Sequence, residues 1–151
     1  MAPSLGGKER DMVAQQPLEE GYFVMPDGEH PHPRLIGSYS PGAGEHFFPR
    51  RRRCPITFGP VEDRLLSSQG VLYSWTWIEN MRYGAMAAAG EPHGVGQVDL
   101  PEGVRVQTRL LGHKGDWEIG MPMVLDLLPV STADDGTELC TFAFRAKRAG
   151  D

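Results

Sequence analysis

The chain reads as mainly β, with an N-terminal arm and a small ribbon-like unit followed by a five-stranded barrel. Three observations predict this architecture. Gly (19) and Pro (13) together supply 32 of 151 residues, against about 12% in an average chain, and 17 of them fall in the first 60 residues, which rules out a long helix there. Residues 61–151 instead repeat an alternation of apolar and polar positions, the signature of half-buried strands. Five such strands as an open sheet would leave edges unpaired, and closure into a barrel removes them; a flatter five-stranded sandwich satisfies the same pattern.

Taken in order, residues 1–20 are polar, hold Gly6, Gly7 and Pro17, and show no sustained apolar period, so they predict a flexible tail. Residues 21–60 predict an extended arm and a ribbon. Tyr22, Phe23, Val24 and Met25 form an aromatic anchor before His30-Pro31-His32-Pro33, which continues neither helix nor central strand. Leu35 and Ile36, a turn at Pro41–Gly44, Phe47 and Phe48, the run Arg50–Arg53 and Cys54-Pro55 then suggest two hairpin-like pieces. The barrel is predicted over 61–148. Its first strand, about 70–79, sets Val71, Tyr73, Trp75 and Trp77 on one face and Leu72, Ser74, Thr76 and Ile78 on the other. The second runs from Gly94 to Leu100. The third, after the turn Pro101-Glu102-Gly103, points Val104, Val106, Thr108 and Leu110 inward. The fourth is Met123–Val130, and the fifth, Glu138–Ala146, stacks Cys140, Phe142 and Phe144 on one face. Strands of this number and length suit a barrel of the oligonucleotide/oligosaccharide-binding (OB) type. Between the first two strands lies the nearly uncharged stretch Met81–His93; because such loops border the ligand face of OB barrels, Tyr83 and Met86 are candidate contacts for an uncharged ligand or partner.

Charge narrows the classes. The first 60 residues balance seven Lys/Arg against seven Asp/Glu, so the net charge of -5 sits entirely on the predicted barrel, the reverse of what a generic nucleic-acid binder needs. No apolar run reaches the ~18–20 residues that cross a bilayer, and residues 1–10 lack a secretory layout; the expectation is a cytoplasmic protein with no membrane partner. Cys54 and Cys140, far apart in unlike contexts, give little reason to expect a disulfide.

Tetrahedral zinc in a two-turn ribbon takes two ligands from each Cys-x2-Cys turn. Here the first turn has Ser40 and Ala43 at that spacing and the second has Cys54 and Thr57, so three of four thiols are missing and zinc is not expected. The segments Arg34-Leu35-Ile36-Gly37-Ser38, Phe48-Pro49-Arg50 before Cys54-Pro55, Gly70-Val71-Leu72-Tyr73-Ser74-Trp75-Thr76, Val98 to Arg105 and Ile119-Gly120-Met121-Pro122 resemble, in this order, the DUF35 family over roughly residues 21–147. The resemblance implies a rubredoxin-like ribbon, here degenerate, joined to an OB fold. It also implies a non-catalytic accessory subunit in a hetero-oligomer with a thiolase-like enzyme, a lipid-transfer-protein-like aldolase or a hydratase. Such a subunit stabilises its partner and helps shape the acyl-CoA site. A metal-free ribbon would rest on packing of Ile36, Phe47, Phe48 and Ile56. No cofactor is expected to bind tightly; coenzyme A or acyl-CoA is expected, if anywhere, at the partner interface, where Arg50, Arg51, Arg52 and Arg53 offer the one dense positive run for phosphates or for partner carboxylates.

Two rivals come from other classes. A standalone thioesterase or hydrolase would use Cys54 or a histidine, but Cys54 reads better as a remnant ligand position, and His30, His32, His46, His93 and His113 are scattered. Cys140 reads as an inert buried thiol. Asp99 and Glu102 are explained by turn chemistry. A single-stranded nucleic-acid reader would stack bases on Tyr73, Trp75 and Trp77; at strand spacing such a stripe is more often core or interface.

Overall fold

The computed structural model describes residues 13–79 and 91–151. They form ten strands and, among the described residues, no helix: β1 Gln15–Pro17, β2 Phe23–Val24, β3 Arg34–Ser40, β4 Glu45–Phe47, β5 Glu62–Leu65, β6 Gln69–Ile78, β7 His93–Asp99, β8 Arg105–Leu111, β9 Pro122–Thr132 and β10 Glu138–Ala146. The last five follow the five predicted barrel strands closely. They pair in the order β10-β8-β7-β6-β9, and β9 pairs back to β10, so the sheet closes. All neighbours are antiparallel except β8 and β10, which run parallel. This is the order of an OB barrel, with every long strand edge satisfied by a neighbour.

Inside, β8 presents Val106 and Leu110, β9 presents Met123 and Leu125, and β10 presents Phe144, all essentially inaccessible to solvent. The inward positions of β7 are Gly94, Gly96 and Val98, and the small residues make room. A Cβ on Gly94 would lie 2.5 Å from the Trp117 ring, and one on Gly96 would lie 2.8 Å from Leu110. The barrel therefore admits one bulky ring across its end only because the facing strand carries no side chain there.

The faces of β6 depart from strict alternation at one point. The pairing with β7 shifts register between Leu72 and Ser74, leaving Tyr73 as the extra residue of a bulge. Before it Val71 and Tyr73 face solvent; after it the alternation inverts and Trp75 and Trp77 turn inward onto Trp117, at centroid distances of 5.6 and 6.0 Å. A bulge inserts one residue and so re-aims everything beyond it. The predicted aromatic stripe is thus split between two faces.

From residue 13 on, the N-terminal part is also more ordered than its composition suggests. Residues 15–17, placed in the expected tail, run parallel to β10 as an added strand, because the Glu138–Cys140 backbone has a free edge there. The sheet built on β3 extends past residue 60, since β3 pairs with β2, with β4 and with β5. Phe23, Leu35 and Leu66 belong to the same buried cluster as the barrel residues Leu72, Val98, Met123 and Phe144. At about 1.5–3 kcal/mol for each large side chain removed from water, this shared core fastens the ribbon to the barrel. Phe142 forms a second joint, meeting Phe23 and Phe48 edge to face at 5.8 and 5.9 Å, the arrangement that aligns ring edges with ring faces. A third is ionic. Arg145 bonds Asp126 at 2.7 Å and Asp151 at 2.7 and 2.8 Å, and Asp151 stands 3.6 Å from His32 of the arm. Arg145, with help from the Arg148 amide, holds the Asp151 carboxyl well below the usual carboxylate range.

Candidate functional site

The ribbon's two turns face each other. In the first, Pro41–Gly44 follows β3, the Ser40 hydroxyl accepts the Ala43 amide at 3.2 Å, and the Gly44 amide donates to the Ser40 carbonyl at 2.7 Å. In the second, the Cys54 sulfur accepts the amides of Ile56 and Thr57 at 3.4 and 3.3 Å, the Phe58 amide donates to the Cys54 carbonyl, and the Cys54 amide donates to the Gly59 carbonyl. Ser40 and Cys54 are completely buried. Burial pushes the Cys54 thiol up, but hydrogen bonds from Ser40, from the Thr57 side chain and from the two amides outweigh it and bring the thiol down to about 7. The predicted ligand positions Ser40, Cys54 and Thr57 are therefore brought together, and Ala43 sits in the same turn as Ser40. An alanine supplies no donor and only one of the four is a thiol, so this set does not fit the sulfur and imidazole shell of structural zinc; among the described residues no three His, Cys, Asp or Glu side chains group as metal ligands.

The thiol's environment gives an expected result. In a Cys140→Ala background, the ultraviolet thiolate absorbance of Cys54 should rise with a midpoint near 7, whereas an unperturbed thiol titrates at about 8.5. Because the folded value is depressed, the stability linked to this group is fully present above the unfolded value and is lost as pH falls through about 7. A midpoint at the unperturbed value would remove the hydroxyl and amide donors from the account.

The arginine run divides by role. It does not lie on a strand, because β4 ends at Phe47 and the run forms the loop leading to Cys54. Arg50 bonds Asp63 at 3.0 Å and its guanidinium lies over Gly21, where a Cβ would come within 2.9 Å. Ser38, fully buried in β3, accepts the Arg51 amide at 2.7 Å and donates to the Arg51 carbonyl at 3.4 Å. The side chains of Arg51, Arg52 and Arg53 are exposed and, among the described residues, make no ion pair. The backbone is pinned at Arg51 while three cations face water.

Beyond them the second turn projects. Ile56, expected in the ribbon core, is 57% exposed, and Phe58 is 74% exposed with φ +59°. Ile56 points outward because its amide is turned in to the Cys54 sulfur. Left-handed backbone costs a residue with a Cβ about 1–2 kcal/mol, so Phe58 is both strained and displayed. Composition does not single it out; the signal in the sequence is an aromatic residue inside a turn otherwise built from Cys, Pro, Ile, Thr and Gly.

On the barrel, the face of β6, β7 and β8 that would read single strands carries an uncharged ladder, with Ser74 donating to Gln97 at 3.2 Å and Gln97 to Gln107 at 3.3 Å. The Trp rings are turned away from it. Tyr73 is the exposed aromatic of β6, and the Arg105 guanidinium already covers its ring at 3.3 Å, held by Asp99 at 2.6 and 3.1 Å. Stacking on an OB surface needs open aromatic faces in a positive groove, and this surface offers neither. Asp99 is thus a partner of Arg105, and Glu102 accepts the amide and hydroxyl of Ser67; neither pairs with the other as an acid couple. Cys140 is buried, which raises its thiol. Tyr83 and Met86 lie outside the described residues.

Similarity to known proteins decides among families. Residues 63–127 match the family model described as the C-terminal OB-fold domain of ChsH2. Over 120 residues, 79% of each chain, the sequence is 30% identical to the benzoylsuccinyl-CoA thiolase subunit BbsA of Thauera aromatica. Among solved structures, the fold superposes on a chain of the Ltp2-ChsH2(DUF35) aldolase with TM-score 0.57 and 30% identity, covering 75% of this chain and 84% of that one. The chain belongs to the DUF35 family. A DUF35 protein of unknown function from Sulfolobus solfataricus gives TM-score 0.46 at 18% identity over 76% of both chains.

Proposed function

We propose that this chain is the DUF35 subunit of a hetero-oligomeric acyl-CoA-processing complex, acting on a thiolase-like or aldolase catalytic partner without chemistry of its own. The observation that carries this is the similarity, over about three quarters of the chain, to BbsA, a thiolase subunit, and to the DUF35 chain of an aldolase. The placement of the nucleophile candidates supports it: neither Cys54 nor Cys140 has solvent-accessible surface, so no thioester could reach them without opening the fold. Arg51, Arg52 and Arg53 are suited to phosphate or carboxylate groups at the partner interface, and Tyr83 and Met86 are proposed to approach the acyl-CoA site. The ribbon is proposed to be zinc-free, since its donor set lacks three thiols. Two free cysteines agree with a reducing compartment, hence the cytoplasm. No helix of the described residues is long and apolar enough to cross a membrane.

Co-expression of the tagged chain with a thiolase-like or aldolase subunit should yield a stoichiometric complex that turns over acyl-CoA, while the chain alone leaves acyl-CoA thioesters intact and carries less than an equivalent of zinc. Turnover by the isolated chain, lost in Cys54→Ala, would instead establish the thioesterase reading.

A further inference from the structure

Most of the ribbon's surface has an evident structural use, but the tip of its second turn does not. Ile56 and Phe58 stand two residues apart, 57% and 74% exposed. Phe58 occupies left-handed backbone, where glycine is the residue favoured by folding. An exposed aromatic at such a position buries little of its ring within the chain, and it stands where glycine would relieve the strain. The turn beneath it is fixed, because the Phe58 amide donates to the Cys54 carbonyl and the Cys54 amide to the Gly59 carbonyl. A rigid, preorganised aromatic anchor loses little freedom on binding, and aromatic residues dominate the energetics of interfaces.

The approach to this tip is cationic. Arg51, Arg52 and Arg53 immediately precede Cys54, all exposed, while Arg50 is engaged by Asp63. The Ser38 clamp anchors the backbone at Arg51, so the run is fixed at that end and leads directly into the turn that carries the apolar tip. Among the described residues no carboxylate pairs with them, which leaves their charges available to carboxylates of a partner.

Resting on the DUF35-subunit reading above, we infer that Ile56 and Phe58 are the anchor by which this chain docks on its catalytic partner, seated in an apolar socket whose rim carries carboxylates facing Arg51, Arg52 and Arg53. The apolar pair supplies the residence time. The arginines steer the encounter and set its salt dependence.

The test uses the full chain and, as its probe, the catalytic subunit isolated from the wild-type complex. Phe58→Gly removes the ring and relieves the left-handed strain, so its thermal midpoint should stay level or rise while affinity for the probe falls about tenfold or more. Ile56→Ser should weaken binding in the same direction. Replacing Arg51, Arg52 and Arg53 by Gln should slow association and flatten its dependence on salt, leaving dissociation nearly unchanged. Unchanged affinity in Phe58→Gly overturns the docking site while the accessory-subunit reading stands. A thermal midpoint that drops together with affinity assigns the ring to folding and also overturns it. So does a wild-type chain that dimerises on its own through a contact abolished by Phe58→Gly, since the occupant is then a second copy. If the wild-type chain binds no acyl-CoA enzyme subunit, both readings fall together.

Discussion

Phe144→Ala is expected to lower the unfolding free energy by about 3–5 kcal/mol, enough to leave a domain at the low end of ordinary stability, about 5–15 kcal/mol, barely folded. Among the described residues Phe144 is the largest fully buried side chain, and it sits in the strand that holds most of the molecule together: β10 pairs with β9, β8 and β1. Its ring lies in the cluster that joins Phe23, Leu35 and Leu66 of the ribbon to Leu72, Val98 and Met123 of the barrel. The loss should therefore be felt in both parts at once, as a single urea transition moved to lower denaturant with an unchanged slope. Two separated transitions would show that ribbon and barrel do not share a cooperative core. Partner binding should fall in proportion to the unfolded fraction and recover when a stabilising osmolyte restores the fold, which separates this effect from loss of a contact residue.

The second large effect is expected at Gly70. A Cβ there would lie 2.5 Å from the Asp99 carbonyl oxygen, 2.7 Å from Val98 and 2.9 Å from Leu100. The first of these is backbone and cannot rotate away. Gly70 also faces Met123 across β9, so the strand is held on both sides and relief of the clash must open one pairing. Gly70→Val should destabilise by at least the about 1–3 kcal/mol usual for overpacking, and amide exchange should quicken first at the β6–β7 and β6–β9 pairs near it. Gly28, with nothing within 4 Å of its virtual Cβ, is the control: Gly28→Ala should stay within about 0.5 kcal/mol. Equal tolerance at both positions would contradict the close approach at Gly70.

The contrast between these glycines shows what a sequence hides. Gly28 and Gly70 are the same letter, and only the neighbouring strand's carbonyl makes one of them irreplaceable. The aromatic stripe is a similar case. Tyr73, Trp75 and Trp77 alternate perfectly in sequence, yet one extra residue at the bulge sends the first to solvent and the other two into the barrel. That inversion removes the stacking surface on which a nucleic-acid reading depended. In the ribbon, Ser40, Cys54 and Thr57 were visible at ligand spacing, but that two hydroxyls and two amides would surround the sulfur was not. Four consecutive arginines looked alike until Asp63 took Arg50 and left the other three facing water.

The amino-acid sequence alone determined the class of fold, the positions of the five barrel strands, the absence of three zinc thiols and the family resemblance. Each of these depends on local patterns, such as period two, turn residues and ligand spacing, that a chain carries before it folds. Tertiary structure alone decided the closing order of the barrel, the parallel strand at residues 15–17, the inward turn of Trp75 and Trp77, and the display of Phe58. These depend on which backbone edge lies within hydrogen-bonding reach and which volume is already filled, and both are fixed only when segments distant in sequence meet.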